Sequence, residues 1–145
     1  MNALTTMKKV VAIGLGTAAI LLAGCAMMSP GKSVKVTLTG SEEVPRVATS
    51  AGGSGTITVA SDMSVSGSVT TTGLGAVAAH IHLGARGENG PVAIGLVKTA
   101  DNVWSVPAGA KFTEAQYAAF NAGRTYVNVH TPANKGGEIR GQLQP

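Results

Sequence analysis

From Val34 onward, apolar and polar residues alternate with a period of two, and no other property of the chain restricts its fold as much. A strand sends successive side chains to opposite faces, so such runs form half-buried strands rather than helices. Val34, Val36 and Leu38 alternate with Lys35, Thr37 and Thr39. Ile57 and Val59 alternate with Thr56 and Thr58, and Met63, Val65 and Val69 with Ser64, Ser66 and Thr70. Ser61-Asp62 separates these last two runs and predicts a hairpin. Val77, Ala79, Ile81 and Leu83 alternate with Ala78, His80 and His82, and further runs occupy 92–97, 103–106, 125–129 and 138–143. Eight short runs divided by turn residues predict an all-β antiparallel sandwich or barrel. One stretch departs from this period. Phe112, Ala115, Ala119 and Phe120 follow helical spacing, Thr113 and Gln116 have the form of a capping box, and Gly123 is a stop, so 113–121 is predicted to be a short helix. The polar, glycine-rich stretch 42–55 reads as a long, mobile connection.

The strands do not begin at the N-terminus. Lys8 and Lys9 precede an uncharged apolar run of 13 residues at 10–22, too short to span a bilayer comfortably and suited to an export signal. Leu22-Ala23-Gly24-Cys25 follows. This run resembles the lipobox of bacterial lipoproteins, in which the Cys becomes the acylated N-terminus. The alternative is a plain secretory signal that happens to end near a Cys. The lipobox reading divides the chain into a signal peptide (1–24), an acylated Cys25 with a short tether (25–33) and one domain (34–145). Its implied membrane partner is the bilayer, reached through palmitate-type chains on Cys25, and its implied location is the bacterial cell envelope. Ala26 stands where inner-membrane lipoproteins carry Asp, which by the same resemblance favours the outer membrane. Cys25 is the only cysteine, so the chain builds neither an internal disulfide nor a thiolate zinc site. Without Lys8 and Lys9, nine basic residues face seven acidic ones with the signs interspersed, and nucleic-acid binding is not expected.

Two blocks resemble a known family. The first is Ala79-His80-Ile81-His82-Leu83-Gly84 followed by Gly87-Glu88-Asn89-Gly90-Pro91-Val92. The second is Ala122-Gly123-Arg124-Thr125-Tyr126-Val127-Asn128-Val129-His130-Thr131, followed by Asn134-Lys135-Gly136-Gly137-Glu138-Ile139-Arg140-Gly141-Gln142-Leu143. Together they closely resemble the CHRD domain, the repeat named after chordin and also found singly in bacterial exported proteins. Val36-Thr37-Leu38 and the stretch 40–45 are similar to that domain's opening, so the resemblance covers about 34–143. It implies an immunoglobulin-like β-sandwich, with Gly90, Pro91, Asn128, Gly137, Glu138 and Arg140 as structural motif residues. It implies little about activity, because a fold does not carry a function.

All three histidines fall in these blocks. His80 and His82 sit at i and i+2 of one strand, so both leave the same face about 6.5–7 Å apart at Cα. His130 ends another strand, with Asn128 and Tyr126 on its face. If the two strands are neighbours, three imidazoles converge, a donor set that suits copper or zinc with one position left open. The competing reading is a structural knot. In it the rings hydrogen-bond loop carbonyls between Gly84 and Pro91, and His130 fixes its turn through Thr131 and Asn134. A His-x-His pair on a sandwich strand also resembles part of the copper site of copper–zinc superoxide dismutases. The fourth His and the structural disulfide of those enzymes are missing here, so dismutase activity is not expected.

Other residues read more plainly. Glu138 and Arg140 share a strand face, either as a solvent-side or cross-strand polar pair or with Arg140 reaching a carboxylate such as Glu88. Trp104 reads as a core residue. No nucleophile elbow, triad spacing or paired catalytic carboxylate is visible, so the chain reads as non-catalytic. The leading reading is therefore an envelope lipoprotein acting as a binding or structural module, and the alternative is a copper- or zinc-binding envelope protein using the three histidines. Replacing Cys25 by Ser should leave the precursor unprocessed or unacylated. Mass spectrometry of the mature N-terminus checks this, and an unacylated wild-type N-terminus elsewhere would end the anchoring argument.

Overall fold

The computed structural model describes residues 31–145, so the export signal and Cys25 lie outside the described residues. Nine strands are present: β1 (Lys32–Thr39), β2 (Gly52–Val59), β3 (Val65–Thr72), β4 (Ala78–Leu83), β5 (Val92–Gly95), β6 (Val97–Ala100), β7 (Val103–Ser105), β8 (Thr125–His130) and β9 (Ile139–Leu143). One α-helix, α1 (Glu114–Asn121), lies between β7 and β8, and a single 3-10 turn, Gly40–Glu42, follows β1. The strands pair antiparallel in the order β5-β4-β8-β9-β1-β2-β3-β7-β6. The all-β expectation and the short helix are both met.

Two features roll this sheet into a flattened barrel with two facing halves. The halves meet at β1 and β9, where a single pair, Thr39 with Arg140, continues the ladder. At the other side the run expected as one strand at 92–97 is divided. β5 ends at Gly95 on one edge of the sheet and β6 begins at Val97 on the opposite edge. Only buried Leu96 separates them, and its N–H donates to the Ala79 carbonyl at 2.9 Å. The chain therefore crosses from one half to the other within a single residue.

The alternating residues fill the space between the halves. Val34, Val36 and Leu38 of β1, Ile57 and Val59 of β2, and Val65 and Val69 of β3 pack in one cluster with Ala79, Ile81, Val127, Val129, Ile139 and Leu143. Trp104 joins them as expected. The hairpin at Ser61-Asp62 forms, with Asp62 Oδ1 accepting from the Ser64 N–H at 3.0 Å and its hydroxyl at 2.6 Å. The helix is capped as its sequence predicts. Thr113 Oγ1 accepts from Gln116 N–H at 3.2 Å, and Gln116 Oε1 accepts from Thr113 N–H at 2.9 Å. Gly123, at φ +68°, closes the helix, its N–H donating to Phe120 O at 2.9 Å.

The stretch 42–55 is shorter and better anchored than its composition predicts. Its glycines at 52, 53 and 55 belong to β2, and Glu43 and Ala51 are buried. Among the described residues no helix is long and apolar enough to cross a membrane. Ile81 is fully buried in the shared core, so Ile81→Ala should cost about 2–5 kcal/mol, while Thr113→Ala should cost about 1 kcal/mol. Urea denaturation of the two variants checks this ranking.

Candidate metal centre

The site lies on the outer face of β4, β8 and β9, opposite the apolar core. Register puts it there. Ala78 pairs with His130, His80 with Asn128, and His82 with Tyr126. Paired residues share a face, so all three histidines leave the sheet on the same side, with His80 diagonal to His130. A register shift between Ile81 and His82, where β4 meets β5, adds local twist beside His82. The three ring centroids lie 4.8 Å (His80–His130), 5.5 Å (His80–His82) and 5.9 Å (His82–His130) apart. One nitrogen from each ring falls within 4.8 Å of the others.

The hydrogen bonds decide which nitrogens are free. His82 Nδ1 lies 2.9 Å from the Gly90 carbonyl and His130 Nδ1 lies 3.0 Å from the Lys135 carbonyl. A carbonyl only accepts, so both Nδ1 atoms carry the hydrogen and both Nε2 atoms present lone pairs. His82 Nε2 is buried with no hydrogen-bond partner. His80 Nδ1 and His130 Nε2 are 2.9 Å apart. Burial, then the neighbouring His130 and His82, holds the His80 pKa below its usual value. Burial lowers that of His82 most, with His130 and Arg140 adding to the effect against the Gly90 hydrogen bond. Both rings are thus kept in the neutral, ligand-competent form.

Two loops supply these carbonyls, and the motif residues build the loops. Gly90 and Pro91 close the 84–91 loop. The Pro91 carbonyl accepts from Leu83 N–H at 2.9 Å, and a Cβ on Gly90 would overlap the Leu83 carbonyl oxygen. Glu138 fastens the 131–137 turn. Its carboxylate accepts from Thr131 Oγ1 at 2.7 Å, Thr49 Oγ1 at 2.9 Å and Asn134 Nδ2 at 3.1 Å, and the Thr131 and Asn134 bonds are the main reason its pKa lies below the usual range. Gly137, at φ +131°, leaves room for the Asn128 amide and the Glu43 carboxyl, which a Cβ would strike. His130 therefore orients its turn through Lys135, not through Thr131 or Asn134.

Arg140 corrects two expectations. It is neither at the solvent face with Glu138 nor bonded to Glu88, because the two loops cover this face of the sheet. The side chain is 1% exposed. Its Nη2 donates to Ala85 O at 2.9 Å and Gln142 Oε1 at 3.3 Å, and Nη1 to Asn89 Oδ1 at 3.3 Å. Its guanidinium carbon lies 3.5 Å from the Tyr126 ring centroid, and that ring is stacked with His82 at 5.0 Å and 8°. The acid facing this group is Glu43, which sequence reading missed. Glu43 accepts a short hydrogen bond from Asn128 Nδ2. Nothing local to Glu43 marks it, since its partners lie far along the chain.

Burial outweighs the Asn128 bond and the Arg140 charge, and raises the Glu43 pKa from 4.5 to about 7. A raised folded-state pKa stabilises the fold fully below the unfolded value, and that stability is lost as pH rises through the folded one. Wild type should therefore lose on the order of 3 kcal/mol between about pH 4.5 and 7.5 from this group, and Glu43→Gln should flatten that slope. Thermal denaturation across this range checks it.

A family model described as the CHRD domain matches residues 34–143. No curated protein and no solved structure matches the chain.

Proposed function

The chain belongs to the CHRD domain family, and from that premise we propose that it is a non-catalytic, lipid-anchored envelope module that binds copper or zinc through His80, His82 and His130. One observation carries the metal reading. One nitrogen from each ring lies within 4.8 Å of the others, two of the three rings give their Nδ1–H to backbone carbonyls, and the Nε2 of one of these two, His82, is buried with no partner. Metal-binding histidines are oriented in this way, their second nitrogen tied to a carbonyl that fixes tautomer and ring plane. Three neutral imidazoles suit Cu(II) or Zn(II), and a position is left for water or an incoming ligand.

The anchor rests on the Leu22-Ala23-Gly24-Cys25 run. The fold is compatible with a site turned away from the bilayer. β1 begins at Lys32, whose Nζ donates to Asn121 at the end of α1, and runs about 23 Å to Thr39. Thr39 pairs with Arg140, and Arg140 with Asn128, two residues from His130. A tether joined at Lys32 would thus enter at the end of β1 farther from His130. The outer-membrane location follows from Ala26 by the same lipoprotein resemblance.

The test is isothermal titration of the full-length protein in detergent micelles at pH 7.5. One Cu(II) or Zn(II) per chain is expected, weakened more than about 100-fold by His82→Ala or His130→Ala while the melting temperature stays near wild type. A structural knot gives the reverse, with no metal heat and a lowered melting temperature in both variants. That result would leave the chain as a binding or structural module whose histidines only tie its loops to the sheet.

A further inference from the structure

We propose that the metal-free site is held shut by a hydrogen bond between two of its own ligands, and that the ion enters by replacing that bridging hydrogen, taking His80 through Nδ1 and His82 and His130 through Nε2. This rests on the metal-binding reading above and specifies how the same three residues coordinate.

The tautomers follow one from another. His130 Nδ1 faces the Lys135 carbonyl at 3.0 Å and so carries hydrogen. In a neutral ring the other nitrogen, Nε2, is then an acceptor only. The 2.9 Å contact between His80 Nδ1 and His130 Nε2 is therefore donated by His80. His82 Nδ1 carries hydrogen because it faces the Gly90 carbonyl at 2.9 Å. The empty site thus has all three rings in the Nδ1–H form. In that state the His130 lone pair is occupied by the His80 hydrogen, while His82 Nε2 is buried with no partner.

An ion can gain His130 only by displacing that hydrogen. The least rearrangement leaves His130 and His82 on their carbonyls and changes His80 alone. Its hydrogen leaves Nδ1 and one is taken up at Nε2, so the ring stays neutral and no net proton is released. The freed Nδ1 lone pair then faces the ion beside His130 Nε2. The surroundings accommodate the new N–H. His80 pairs with Gly95 across β4 and β5, and the nearest heavy atom to a Cβ built there is His80 Cδ2, at 3.9 Å. Cδ2 is bonded to Nε2, so that edge of the ring lies beside an exposed residue with no side chain.

The separation also fits. Two nitrogens bonded to one ion at about 2.0 Å lie about 2.8 Å apart at a right angle and about 3.3 Å apart at the tetrahedral angle. The observed 2.9 Å, set by the bridging hydrogen, lies between these two values, so this pair can meet either arrangement with a shift of a few tenths of an ångström. His82 completes the set: one nitrogen from each of the three rings lies within 4.8 Å of the others, so bringing all three onto one ion takes an inward movement of about 1.5–2 Å.

Imidazole tautomers can be read directly from long-range proton–nitrogen spectra of the full-length, nitrogen-15-labelled protein in detergent micelles at pH 7.5, with Zn(II) as the diamagnetic probe. Three Nδ1–H rings are expected without metal. On saturation with Zn(II), His80 should become Nε2–H with its Nδ1 resonance shifted by the ion, while His82 and His130 remain Nδ1–H. Paramagnetic resonance of the Cu(II)-loaded protein should show an axial signal with coupling to three nitrogens. An Nε2–H ring in the metal-free protein, or a Zn(II)-loaded His80 still protonated at Nδ1, overturns the proposed exchange and leaves three-His metal binding standing. Failure of both ions to bind by calorimetry removes the metal reading and this inference together.

Discussion

The outer face of the sheet is held together by the burial of one cation. Arg140 sits in the centre of that face, where desolvation opposes its charge and holds its pKa below the usual value. The chain compensates with neutral acceptors and a ring face. Ala85 O and Asn89 Oδ1 come from one loop, Gln142 Oε1 from the same strand, and the Tyr126 π-surface from the neighbouring strand. Each of these contacts also does a second job. The bonds to 85 and 89 draw the loop down over the sheet, which places the Gly90 carbonyl against His82. The ring beneath the guanidinium is the ring on which His82 stacks. The orientation of a candidate metal ligand is therefore set by a group that touches no metal.

The His130 side of the site is built by different means with the same result. There a carboxylate, Glu138, gathers Thr131, Asn134 and Thr49 and shapes the turn that offers the Lys135 carbonyl. Glu43 and Asn128 lie between the two sides, in the space that Gly137 leaves open. Charged and polar residues thus form a second, hydrogen-bonded interior outside the apolar one. Such an interior is costly when incomplete, because a buried polar group without a partner is disfavoured. The unpartnered Nε2 of His82 stands out against that background.

Much of this was legible in the sequence wherever the signal is local. Alternation located the core residues of β1, β2 and β3, and Ala79 and Ile81 of β4. Thr113, Gln116 and Gly123 gave the helix and both its ends. The His-x-His spacing placed two rings on one face, since strand geometry allows nothing else. What was illegible depends on pairings across the chain. Arg140 reads as a surface residue until the loops that cover it are in place, and those loops lie more than fifty residues away. Glu43 reads as part of a polar connection because Asn128, its partner, is 85 residues distant. The apolar run at 92–97 gives no warning of a division at Leu96, because whether it pairs with one half of the sheet or both depends on how the rest of the sheet curls.

That division at Leu96 bears on how the domain behaves in company. An open sheet offers two rows of unpaired backbone groups that can recruit strands from other chains, and aggregation starts there. Here both terminal strands, β5 and β6, are four residues long, and they follow one another in the chain with Leu96 alone between them. The β4–β5 and β6–β7 pairings each carry a register irregularity, which interrupts the ladder beside each edge. A strand from another molecule would find only a short, broken template on either side. At high local concentration, that geometry favours staying separate over stacking edge to edge.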